Sequence, residues 1–152
     1  MVLLSVFKID TIFMKQKEWI PPAFSNMLIA VMEEYPDVSY VEHNEGIIIY
    51  SNYEHGFDII IVQVSYDRFI VSFGLWCTET QDPYEAIRLL KLALAESSRL
   101  EVDVRKADKL IWKFQYLVDG AYQSSPALES FRLEPEHTPE DPNFYYLQNI
   151  PV

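Results

Sequence analysis

Cys77 is the most nucleophilic side chain in this 152-residue sequence, and it is the sole cysteine. It follows Trp76 at the end of a strand-like run, a position from which a thiolate could attack a substrate carbonyl. Such chemistry needs a base beside the sulfur and a donor for the developing charge. None of the three histidines, His43, His55 and His137, stands in a recognisable catalytic context, so Cys77 is a weak catalytic candidate and reads better as a small hydrophobe.

His43 and His55 lie close to Glu42, Glu45 and Glu54, which are metal-ligating residue types. Paired cysteines and a His-x-x-x-His spacing are both absent, and a strand between the two histidines would separate them by about 20 Å at roughly 3.3 Å per residue. No metal is expected. Gly46, Gly56, Gly74 and Gly120 are too scattered to write a phosphate-binding loop or a dinucleotide fingerprint, and neither Ser65 nor Ser72 sits in a Gly-x-Ser-x-Gly setting. No cofactor is expected either.

Charge carries more information. Asp and Glu number 23 against 12 Lys and Arg, giving a net charge of -11 and a pI near 4.6. Nucleic acids and anionic membranes are poor partners for such a surface, because both must be neutralised by cations. A basic protein is the natural partner. Acidity alone also keeps a small protein in solution. One cysteine excludes an internal disulfide framework, and the apolar start of the chain has no basic residue ahead of it and is interrupted by Lys8 and Asp10. These features suggest a cytoplasmic protein.

The elements that must position these residues follow from hydrophobic spacing. Residues 2–13 alternate weakly and read as a strand. Over residues 22–35, Phe24, Met27, Leu28, Val31, Met32 and Tyr35 recur at helical spacing, between Pro22 and the stop at Pro36. Residues 38–43 and 47–50 form a hairpin around Asn44, Glu45 and Gly46. Runs at 47–50, 57–64 and 69–76 are separated by gaps too short for a parallel crossover, so they form an antiparallel meander. Asp82, Pro83 and Glu85 are a helix-start signature for a helix to about Ser97, whose apolar face packs across that meander. Residues 99–105 and 109–118 alternate as strands, and Asp119 and Gly120 form a turn into an edge strand at Ala121 and Tyr122.

The expected fold is therefore α+β, an antiparallel β-meander sheet with two main helices packed on one face and a Pro-rich C-terminal tail. Residues 1–122 read as one α+β domain, with about two thirds of the surface of its unfolded chain buried. Residues 123–152 read as an acidic tail in which Ser124, Ser125, Pro126 and later prolines break regular structure. Its carboxylates Glu134, Glu136, Glu140 and Asp141, followed by Phe144, Tyr145 and Tyr146, are the candidate interaction residues, and the stretch 144–150 is apolar enough to dock on the body or on a partner.

Two functional classes follow. The first is a non-catalytic, acidic protein-interaction domain that binds a basic protein or a second copy of itself as a homodimer. Small acidic bacterial immunity proteins and type III secretion chaperones combine low pI with a helix, strand, helix, strand body, and this chain resembles them in that general respect. The resemblance implies a protein partner and no enzymatic activity, and it carries over no functional residue. The alternative is a small-ligand or enzymatic domain with a pocket near Cys77, where Asp58, Tyr66 and Trp76 would converge.

Overall fold

The structure, a computed structural model, describes residues 23–43, 45–131 and 143–150. The strand read over residues 2–13, together with His137, Glu134, Glu136, Glu140 and Asp141, lies outside the described residues. Helix α1 (Phe24–Glu33) buries Phe24, Leu28, Val31 and Met32, the stripe its spacing dictates. Strands β1 (Val41–His43), β2 (Gly46–Ile49), β3 (Ile59–Ser65), β4 (Arg68–Phe73) and β5 (Trp76–Thr80) pair in sequence order, each antiparallel to the next. That is the meander.

Helix α2 (Pro83–Leu94) begins as its sequence requires: the Asp82 carboxylate accepts from the Tyr84 N–H at 2.9 Å, and Pro83 occupies a position whose donor would be orphaned. Glu85 pairs sideways with Arg88 instead of reaching back to the cap. The helix ends at Leu94, short of Ser97, because the backbone turns extended at Ala95 and the Ser98 hydroxyl donates to the carbonyls of Ala93 and Ala95. Both helices lie on the inner face of the meander, where Ile47, Ile49, Ile59, Ile61, Phe69 and Val71 are buried. Its outer face carries half-buried Ile48, Ile60, Val62 and Ile70.

The run 69–76 is not one strand. Gly74 takes a φ of +56° and, with exposed Leu75, turns the chain so that Trp76 opens β5 opposite Phe73. The reversal returns Trp76 to the inner face, where it stacks on Phe73 with ring centroids 5.4 Å apart.

A second antiparallel sheet follows, built from β6 (Arg99–Asp103), β7 (Lys109–Val118), β8 (Ala121–Ser124), β9 (Leu128–Phe131) and β10 (Phe144–Leu147). Strands β8 and β9 both pair with β7 on the edge away from β6, interrupted at Ser125 and Pro126. The expectation that nothing regular forms beyond Tyr122 is corrected here: proline breaks the strand locally, and pairing with β7 resumes after it. Strand β10 pairs with β6 on the other side. One face of β6 and β7 buries Leu100, Val102, Leu110, Trp112 and Phe114.

The two sheets share one core. Phe114 of β7 meets Phe73 of β4 at 4.6 Å and Trp76 of β5 at 5.6 Å, and the Trp76 indole N–H donates to the Pro126 carbonyl at 3.0 Å. Burying each such ring contributes about 1.5–3 kcal/mol, and each aromatic pair adds about 0.5–1.5 kcal/mol. No helix among the described residues is long and apolar enough to cross a membrane.

Candidate ligand cleft

Where α1 and α2 end, the chain leaves a cavity of about 400 Å³. The loop after α1 supplies Tyr35 and Asp37, the end of α2 supplies Leu94 and Glu96, and the segment after β2 supplies Tyr50 and Tyr53. Its floor is the sheet and helix core itself, Ile49, Ile59 and Ala93, each no more than 5% exposed. Tyr50 and Tyr53, which line it, stand 58% and 39% exposed.

The last wall comes from the C-terminal segment. Asn149 acts there as a one-residue strand: its carboxamide oxygen accepts from the Phe57 N–H at 2.9 Å, and its NH₂ donates to the Phe57 carbonyl at 2.9 Å. The Ser51 hydroxyl also donates to that oxygen, while the neighbouring Gln148 N–H donates to the His55 carbonyl at 2.7 Å and its side chain to the Glu96 carbonyl at 3.2 Å. Gly56 permits this approach. A Cβ there would collide with Ser51 Oγ and Asn149 Oδ1.

The charged side chains that line the cleft have one sign. A helix C-terminus is the negative end of the macrodipole, which cations stabilise by about 0.3–1 kcal/mol. Helix α1 has no basic residue in its last turn and instead ends in Glu33 and Glu34, with Asp37 following. Helix α2 carries Lys91 in its last turn and has its terminal carbonyls at Ala93 and Ala95 bonded by the Ser98 hydroxyl, with Glu96 two residues beyond its end. Among the described residues, no lysine, arginine or histidine lines the cleft. Asp37 and Glu96 are thus the charged side chains that line the cleft among the described residues, and both are carboxylates.

The residues singled out from sequence are placed elsewhere. Cys77 is exposed on β5, paired in register with Ser72 and aligned with the outer face of the meander; its sulfur stands 4.0 Å from the Thr78 carbonyl. Trp76, its neighbour, faces the core. Asp58 precedes β3 and Tyr66 follows it, about 25 Å apart along an extended strand, so these residues do not converge with Cys77. His43 ends β1 and His55 lies beyond β2. Among the described residues no three His, Cys, Asp or Glu side chains come together.

Phe144, Tyr145 and Tyr146 are engaged by the chain's own second sheet. The Arg105 guanidinium lies 4.8 Å from the Phe144 ring, Tyr145 packs on the core with its phenol pKa raised by burial, and Tyr146 covers Arg99 at 4.2 Å. On the other side of Arg99, Tyr122 stands at 3.7 Å, completing a tyrosine bracket around the guanidinium.

Sequence reasoning did not find the cleft. Its one readable signal was the acidic end of α1, where Glu33, Glu34 and Asp37 oppose the helix dipole. Comparison of the chain with protein-family models, curated proteins and solved structures found no match.

Proposed function

We propose that this protein is a non-catalytic binding domain whose cleft receives a cationic side chain from a basic protein partner. The observation that carries the reading is the charge of the lining: the Asp37 and Glu96 carboxylates, beside the end of α1, which has no basic residue in its last turn, share a space lined by tyrosines and by no cation among the described residues. A bound ammonium or guanidinium meets those carboxylates and the tyrosines of the lining. The net charge of -11 adds a long-range attraction that speeds encounter with a basic surface. Low pI and an α+β body are the general respects in which the chain resembles acidic immunity proteins and secretion chaperones, and a protein partner is what that resemblance implies.

Against catalysis near Cys77 stands the arrangement of its neighbours: Asp58, Tyr66 and Trp76 are dispersed, and the space under α2 is filled by Ala86, Leu89, Leu90 and Ala93. The test is calorimetric titration of the full chain with a short peptide of alternating arginine, lysine and glycine. Binding is expected at low salt and weakens as salt is raised. The double substitution Asp37→Asn with Glu96→Gln is expected to weaken it about tenfold at unchanged melting temperature, the equivalent of about 1.4 kcal/mol. Affinity indifferent to that substitution would refute the reading.

A further inference from the structure

We infer that the cation accepted by the cleft is the guanidinium of an arginine in the partner, in preference to the ammonium of a lysine. This deepens the proposed function and rests on its reading of the cleft as a cation site.

The first ground is the distribution of acceptors. Asp37 follows α1 and Glu96 follows α2, so the two carboxylates belong to separate elements. A guanidinium spreads five N–H donors in a plane and can address acceptors on two sides at once, whereas an ammonium is a compact charge that must choose between them. The second ground is the apolar floor. Ile49, Ile59 and Ala93 offer no hydrogen bond to a group that has shed water, and guanidinium is the more weakly hydrated of the two cations.

A third ground is how this chain treats its own cations. Among the described residues every cation set over an aromatic ring is an arginine: Arg88 over Tyr116, Arg99 between Tyr122 and Tyr146, and Arg105 over Phe144. Yet the described residues hold as many lysines as arginines, four of each. The Arg99 bracket combines two tyrosine faces with a side-chain acceptor, Gln115 Oε1 at 2.8 Å. The cleft holds the same ingredients, tyrosine faces and side-chain acceptors, with the cation left to the partner.

Two peptides that differ only in carrying arginine or lysine at every basic position separate the possibilities. Titrated calorimetrically into the full chain at one low salt concentration, the arginine peptide is expected to bind about fivefold tighter or more. A third peptide with asymmetrically dimethylated arginines retains the charge but loses N–H donors, and it should forfeit that advantage. The advantage should also shrink in Tyr50→Leu, a substitution at an exposed ring whose folding is checked by its melting temperature. Equal affinities, or tighter binding of lysine, would overturn the arginine assignment while leaving the cleft a cation site. Failure of all three peptides to bind would overturn the assignment and the proposed function together.

Discussion

Asn149 satisfies both backbone groups of Phe57, accepting from its N–H and donating to its carbonyl at 2.9 Å each, across 92 residues of sequence. Phe57 is 3% exposed, so these groups have little access to water should the amide be lost. Asn149→Ala is therefore expected to cost about 2–3 kcal/mol in urea denaturation, since each orphaned buried group carries a desolvation penalty of about 1–3 kcal/mol. Binding of the basic peptide should weaken in parallel, because the same amide is a wall of the cleft. Unchanged stability would show that Phe57 finds other partners.

Gly56 is predicted to be intolerant of any side chain, for a steric reason alone. In Gly56→Ala the new methyl meets Ser51 Oγ and Asn149 Oδ1, and relieving that contact costs about 1–3 kcal/mol. A double-mutant cycle with Asn149→Ala identifies the cause. The cost should fall once the amide has been removed, and additive costs would place the strain elsewhere.

The response to pH is expected from two groups on the second sheet. The Arg105 guanidinium bonded to Asp103 holds that carboxyl below its ordinary value. Its stabilising effect is complete above the unfolded carboxyl range and is lost as pH falls through the lower folded value. Asp103→Asn should lower the melting temperature near neutrality and lose that difference in strong acid. Burial raises the Tyr145 phenol instead, so its contribution is complete below about pH 10 and is lost as pH rises through the folded value. Tyr145→Phe should flatten the alkaline limb of a melting-temperature profile.

Phe114 joins the sheets, with Phe73 on one and Tyr116 beside it on the other. Phe114→Ala should cost about 3–5 kcal/mol, the usual range for emptying a buried aromatic position. Circular dichroism and tryptophan fluorescence, which follow backbone and core, should still give coincident unfolding curves. Separated transitions would mean that the sheets are stabilised independently.

Short-range features of this fold could be read from the chain. The cap at Asp82 and Pro83, the stripe of α1, the alternation of Leu110, Trp112 and Phe114, and the turn at Asp119 and Gly120 are all local consequences of side-chain type. The turn at Gly74 was hidden because Leu75 and Trp76 continue an apolar run, and only the positive φ reveals the reversal. Division of the strands into two sheets was equally hidden, since alternation assigns a face and says nothing about neighbours. The cleft was beyond reach for the same reason. Tyr35, Glu96 and Asn149 meet only after α1, α2 and the C-terminal segment have been folded together.

Among the described strands, β10 has the most remote partner: Phe144 and Asp103 stand 41 residues apart, while every other pairing joins nearer segments. Closing that loop has a larger entropic cost than closing a hairpin, so β10 adds to a sheet that already exists. Asn149 lies two residues past its end. The wall that Asn149 gives the cleft is therefore set in place after the sheets on which it stands, and the cleft is the late-closing part of this fold.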